Sequence, residues 1–143
     1  MGVGVTPGTL SELVLDATVA VEAALLEGGF DIYEGHTLNA PGLLWWEVNS
    51  VLHEQTHRGE ISSGHARDAM ARFHQQRIRV FGPTPEFLEA TVRVSQRLGW
   101  AKVYDATYIA AVLAIGGSRL VTYDERLRRG ASRLVPIIGP AEL

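Results

Sequence analysis

The apolar positions of this chain follow two rhythms. Unbroken short runs appear at Glu12-Leu13-Val14-Leu15, which stops at Asp16, and at Arg119-Leu120-Val121-Thr122, with Asp124 just beyond. Both read as strands buried on two faces. Arg77-Ile78-Arg79-Val80-Phe81 alternates polar and apolar residues and reads as a further strand, followed by the turn Gly82-Pro83-Thr84-Pro85. Elsewhere the spacing is helical, and each helix has a stop signal. Thr18–Glu27 ends at Gly28-Gly29, and Leu43–His57 closes at Gly59. Ser62 or Ser63 caps a helix running to about Gln76. Glu86–Leu98 stops at Gly99, and a helix opening near Asp105 runs to Ile115 before Gly116-Gly117. Residues 30–41 read as loop, with Pro41 placed where a helix begins. A short helix after Asp124 and a last strand, Arg133–Ile137, complete the reading.

Strands alternating with helices predict an α/β fold, a central parallel β-sheet flanked by α-helices on both faces. A length of 143 residues fits a single domain over 1–143. The start, Met1-Gly2-Val3-Gly4-Val5-Thr6-Pro7-Gly8, lacks the basic and apolar regions of a signal peptide, so 1–11 is expected to be a flexible lead-in. No apolar run is long enough to span a bilayer, and no membrane partner is expected. The chain has no cysteine, which excludes disulfides, thiolate zinc sites and cysteine nucleophiles and agrees with a cytoplasmic location. A net charge of −3 is not that of a strongly basic nucleic-acid binder, but crowded carboxylates offset basic groups elsewhere. The basic side is almost all arginine, Lys102 being the only lysine; coding bias and bidentate phosphate binding both produce that pattern.

Carboxylates stand at telling places. In open α/β sheets ligands bind beyond the carboxyl ends of the strands, and Asp16 and Asp124 both follow predicted strands. Asp105 opens a helix, and Glu47 sits in the first turns of another among Trp45, Trp46 and Val48. Asp105 and Asp124 each have a plainer reading as helix caps. Glu47 is harder to dismiss, because buried carboxylates are paired or bound to metal. Four carboxylates in one pocket repel each other, and a divalent cation removes the repulsion. Oxygen donors without cysteine favour Mg2+ or Mn2+ over zinc. Such a centre suits phosphodiester hydrolysis.

These residues lie in blocks that resemble a known family. Leu13-Val14-Leu15-Asp16-Ala17-Thr18, Glu47-Val48-Asn49-Ser50-Val51-Leu52, Tyr104-Asp105-Ala106-Thr107-Tyr108-Ile109-Ala110 and Leu120-Val121-Thr122-Tyr123-Asp124 are similar, in order and separation, to the PIN-domain ribonucleases, specifically the VapC toxins. The resemblance runs from about Leu13 to Ile137. It implies a PIN-like domain with Mg2+- or Mn2+-dependent endoribonuclease activity on tRNA, rRNA or mRNA. It also implies a homodimer and a VapB-like antitoxin partner. Asp16 and Asp105 would be the principal metal ligands, with Glu47 and Asp124 completing the pocket directly or through water. Thr18 and Thr122 fall where the family places a hydroxyl beside the metal, and Asn49 keeps a usual position two residues after the glutamate.

Rival readings rest on different residues. His53-Glu54-Gln55-Thr56-His57 is an H-E-x-x-H, which on a helix would serve a zinc metallopeptidase. It lies at a predicted helix end beside Arg58 and Gly59, and Glu60 stands where the extended form of that motif needs glycine, so a polar helix terminus is the plainer account. A non-toxin PIN nuclease of RNA processing stays open, as does a non-catalytic module that binds RNA or a protein. Arg126, Arg128, Arg129 and Arg133 are candidate phosphate contacts near Asp124, although a solvated surface is the plainer account of each; Arg67, Arg72, Arg77 and Arg79 form a second basic region, for RNA or simply an exposed helix and strand. Leu43, Leu44, Trp45 and Trp46 serve either a core or an interface.

Overall fold

The structure, a computed structural model, describes residues 11–143. It begins on β1 (Glu12–Leu15), whose apolar run is buried throughout Leu13–Leu15. β1 has parallel neighbours on both sides, β2 (Thr37–Pro41) and β4 (Arg119–Val121). The outer strands are β3 (Ile78–Phe81) beside β2 and β5 (Ile137–Ile138) beside β4, giving the order β3-β2-β1-β4-β5. All four pairings are parallel. The expected α/β architecture is therefore present, and Leu13, Val14, Leu15, Leu120 and Val121 are fully buried because helices cover the sheet on both faces.

Chain direction fixes which helix covers which face. From β1 the chain steps outward to β2 and β3 through α1 (Ala17–Ala24), α2 (Leu43–His57) and α3 (Ser63–His74). These helices pack on one another. The chain then returns across β1 through α4 (Pro85–Leu98) and α5 (Ala106–Ala114) and continues through α6 (Glu125–Ala131). Right-handed crossovers put that second group on the opposite face. α5 lies against β1, β2 and β4, and α4 packs on α5. Reversal of the strand order between β1 and β4 creates a topological switch point at their carboxyl ends.

Local signals set the helix ends. Thr84 caps α4 by accepting the Phe87 amide at 3.1 Å, Pro85 occupies the first turn, and Gly99 closes the helix in the left-handed region. Ser62 caps α3 through the His65 amide at 3.0 Å. No helix among the described residues is long and apolar enough to cross a membrane.

Three expectations need correction. Residues 30–41, read as loop, contain the 3-10 turn Gly29–Tyr33 and the inner strand β2. Pro41 ends that strand rather than opening a helix; α2 starts at Leu43. The last strand is two residues, Ile137–Ile138, not Arg133–Ile137. Of the lead-in expected over 1–11, residues 1–10 lie outside the described residues. Ser11 is held in place, its carbonyl accepting from Thr37 at 3.1 Å and its hydroxyl from Arg119 at 3.0 Å.

Candidate active site

Asp16 follows β1 directly, so its side chain emerges at the switch point. It is 5% exposed and caps α1: Oδ1 accepts from the Thr18 amide at 3.0 Å, the Thr18 hydroxyl at 2.6 Å and the Val19 amide at 3.3 Å. Across the switch point, Thr122, just beyond β4, donates its hydroxyl to Oδ2. The two threonine hydroxyls lie 3.4 Å apart. Burial pushes the Asp16 carboxyl above the ordinary carboxylate range, although Thr122, Thr18 and Val19 pull it down.

Glu47 enters from the first turns of α2 and is half-buried. Its Oε1 accepts a hydrogen bond from the Tyr108 hydroxyl on α5, which ties the two faces of the sheet together above its edge. Burial raises the Glu47 carboxyl, Tyr108 opposes the rise, and the charges of Asp105 and Asp16 add to it. The Asp16 and Asp105 carboxylates thus both bear on Glu47. Desolvation and the Glu47 carboxylate keep the buried Tyr108 phenol protonated, as a donor must be.

Asp105 occupies the N-cap position of α5, yet its side chain makes no capping bond there. It is exposed, so the carboxylate is left available at the site rim. Asp124 behaves differently. It caps α6, accepting from the Leu127 amide at 3.0 Å, and its own amide donates to the Thr122 hydroxyl at 2.9 Å. Among the described residues no three acidic or imidazole side chains close into a ready metal-ligand cluster. The structure brings Asp16 together with Thr18 and Thr122, sets Glu47 and Asp105 where their charges meet, and joins Asp124 to the group through its amide on Thr122.

Asn49, half a helical turn beyond Glu47, lines a groove of about 300 Å³ between α2 and α3 with His53, Thr56 and Arg67. His53, Glu54 and His57 lie toward the end of α2 and all three are exposed, which matches the polar-terminus account. Arg128 forms a two-pronged pair with Glu142 at 2.9 and 3.1 Å, and Arg133 donates to the Arg97 carbonyl at 2.9 Å. Arg126 and Arg129 are exposed on α6. In the second region Arg72 donates to the Ala24 carbonyl at 2.7 Å and Arg79 to Asn39 at 3.0 Å, which gives both a structural use. Trp45 packs on Phe73 at 5.6 Å between ring centroids, whereas Trp46 points to solvent.

Sequence reasoning missed Tyr108 as a site residue. A signal was present: Tyr108 lies three residues after Asp105 and so shares its helix face. It also missed Glu22, whose Oε1 accepts from the Tyr123 hydroxyl at 2.7 Å beside the site.

The fold and these carboxylates define an α/β protein with an acidic centre at its topological switch point. No family model matches the chain, and no curated protein matches its sequence. Solved structures do share the fold. PAE2754 from Pyrobaculum aerophilum superposes with a TM-score of 0.66 at 22% identity, over 89% of this chain and 83% of that one. VapBC2 from Rickettsia felis, bound to a DNA fragment from their promoter, gives a TM-score of 0.63 at 11% identity, over 90% of this chain and 98% of that one.

Proposed function

We propose that this protein is a Mg2+- or Mn2+-dependent endoribonuclease of the PIN-domain, VapC-like type, acting as the toxin of a toxin–antitoxin pair. The observation that carries the reading is the meeting of Asp16, Glu47 and Asp105 at the switch point, with two carboxyls driven upward by burial. The shared fold with a VapBC2 structure supports the toxin part.

The donor chemistry fits a hard dication. All candidate ligands are oxygens, and a positive charge would relieve the mutual repulsion of the carboxylates. Magnesium keeps several waters and takes one or two carboxylates, so two protein carboxylates suffice for it. Asp16 and Asp105 would hold the ion, with Glu47 completing the pocket and Asp124 reaching it only through water. When bound, the ion lowers the pKa of a water and offsets phosphate charge. The remaining work belongs to the chain. Thr122 and Thr18 orient the Asp16 carboxylate, and Tyr108 holds Glu47 by one oxygen and leaves the other without a side-chain donor from Tyr108. Arg126 and Arg129 would meet the flanking phosphates, while Arg128 is already paired. A VapB-like antitoxin, a homodimeric assembly and a tRNA, rRNA or mRNA substrate complete the proposal.

The test is cleavage of a panel of RNAs by purified protein in magnesium and in EDTA, alongside Asp16→Ala and Asp105→Ala. Cutting in magnesium only, reduced roughly 100-fold or more in both variants, is expected. Undiminished cutting by the variants would remove the assignment. Growth arrest on expression, relieved by the product of an adjacent small reading frame, tests the toxin role separately.

A further inference from the structure

Each of three acidic positions is preceded in the chain by an aromatic residue that the core does not take: Trp46 before Glu47 is 73% exposed, Tyr104 before Asp105 is 60% and Tyr123 before Asp124 is 45%. Single exposed aromatics are ordinary. Here the exposed rings are chain neighbours of residues that converge. Tyr108, on the helix that Tyr104 and Asp105 lead into, is hydrogen-bonded to Glu47, and Thr122 is bonded to Asp16. Two of the three segments are also held in place. The Tyr123 amide donates to the Thr18 hydroxyl at 3.0 Å and its phenol to Glu22 at 2.7 Å, so the ring is fixed while its surface stays open. The Tyr104 carbonyl accepts the Thr107 hydroxyl at 2.6 Å, which fixes the turn that presents it. Trp46 contrasts with its neighbour Trp45, which does pack, on Phe73.

We infer that Trp46, Tyr104 and Tyr123 form a stacking platform that holds unpaired bases of a single-stranded nucleic acid around the acidic centre. The inference deepens the nuclease reading and rests on it for the location of the scissile phosphate. Its physical reason is charge. An acidic site on a chain of net charge −3 repels a phosphate backbone at long range. Neutral π-faces hold the bases without adding to that repulsion, and they work with any base. Bases in a duplex stack on one another and offer no free face, so the platform selects unpaired strands. Arg126 and Arg129 then contact the backbone on the α6 side.

The test is fluorescence anisotropy of the full chain with a labelled ten-nucleotide single-stranded RNA. Calcium stands in for magnesium, as a dication that the same oxygen donors accept. Matched arms use single-stranded DNA of the same sequence, the RNA duplex, and a strand whose central bases are replaced by abasic units. Trp46→Ala, Tyr104→Ala and Tyr123→Ala are each expected to weaken strand binding about tenfold. Trp46→Phe, Tyr104→Phe and Tyr123→Phe keep a ring and should stay within about threefold of the parent. The abasic strand and the duplex should bind weakly, and the lost affinity should be nearly independent of salt. Equal binding of RNA and DNA assigns recognition to the bases alone; an RNA preference adds the 2′-hydroxyl, and the platform stands in either case. In magnesium, alanine variants should raise KM and leave kcat within a few-fold.

Alanine variants that bind the strand as the parent does, or an abasic strand bound equally well, would overturn the platform. Rings that serve only to dock a protein partner would show this same result. Loss of the nuclease reading looks different: the parent then fails to cut while strand binding still responds to the alanine variants.

Discussion

Replacing Thr122 by valine isolates the contact on which the site's geometry turns. Thr122 is 3% exposed, so valine fills the same space and only the hydroxyl is lost. That hydroxyl donates to the Asp16 carboxylate and accepts the Asp124 amide at 2.9 Å. A hydrogen bond to a charged group contributes about 1.5–3 kcal/mol and a neutral one about 1 kcal/mol. The added methyl returns under about 1 kcal/mol by burial. The net cost is therefore about 2–3 kcal/mol at neutral pH. At roughly 3 °C per kcal/mol for a chain of this size, the melting temperature should fall about 6–9 °C.

The cost must depend on pH in a set direction. Burial already holds the folded Asp16 carboxyl above its unfolded value. A raised carboxyl contributes stability that is complete below the unfolded pKa and is lost as pH rises through the folded pKa. Thr122 limits that loss, because its hydrogen bond lowers the folded pKa. Valine removes the limit, so parent and variant should diverge as pH rises through this window. In acid, where Asp16 is protonated, only neutral bonds are lost and the gap should shrink to about 1 kcal/mol. Urea unfolding of the metal-free protein at neutral and acidic pH measures both quantities, with Thr122→Ser as the control that keeps the hydroxyl. Equal midpoints at neutral pH, or a gap that does not narrow in acid, would refute the reasoning.

Tyr108→Phe removes the donor to Glu47, so the Glu47 carboxyl should rise further and the acid limb of the pH–rate profile should move to higher pH, at a stability cost of about 1–3 kcal/mol in urea. Asp105→Asn should leave the melting temperature of the metal-free protein unchanged or raised while activity is lost, because Asp105 makes no capping bond and its charge adds to the repulsion on Glu47. Asp124→Ala should instead cost about 1 kcal/mol of stability through the lost α6 cap, read by the same melt. Gly29→Ala should unfold the chain or abolish soluble expression, since a Cβ there would stand 2.0 Å from the Ala23 carbonyl oxygen; Gly59→Ala meets open space and should cost only about 1 kcal/mol from its positive φ.

What the sequence hid is what tertiary contacts decide. Thr37-Leu38-Asn39-Ala40-Pro41 carries no strand signal, since asparagine and proline are poor strand formers. It is a strand because β1 and β3 flank it and because Asn39, fully buried, finds partners on both neighbours. Its amide donates to Glu12 at 2.9 Å and to the Leu13 carbonyl at 3.1 Å, and its oxygen accepts from Arg79 at 3.0 Å. No residue within the segment announces those partners. At the other edge the run Arg133–Ile137 did announce a strand, but Pro136 lacks an amide donor and only its carbonyl serves the sheet, accepting from Leu120 at 3.0 Å. The strands that could be read, β1 and β4, are those whose own composition demands burial on both faces.

The site was more legible than the sheet because each of its carboxylates stands at the end of an element or in its first turns, and such places can be located without knowing the packing. The same economy explains why the plain and the chemical readings of Asp16 do not compete. Asp16 needs only part of its acceptor capacity to cap α1, since a carboxylate offers about four lone-pair sites. Oδ2 takes Thr122 alone, which leaves it room for one further partner. The cap therefore leaves room for the proposed ligand role in the same residue, and substitutions of Asp16 are expected to mix helix stability with activity. Asp105, with no capping bond, separates the two. Comparing the pair decides how far the carboxylate charge itself, rather than the helix it starts, drives the chemistry.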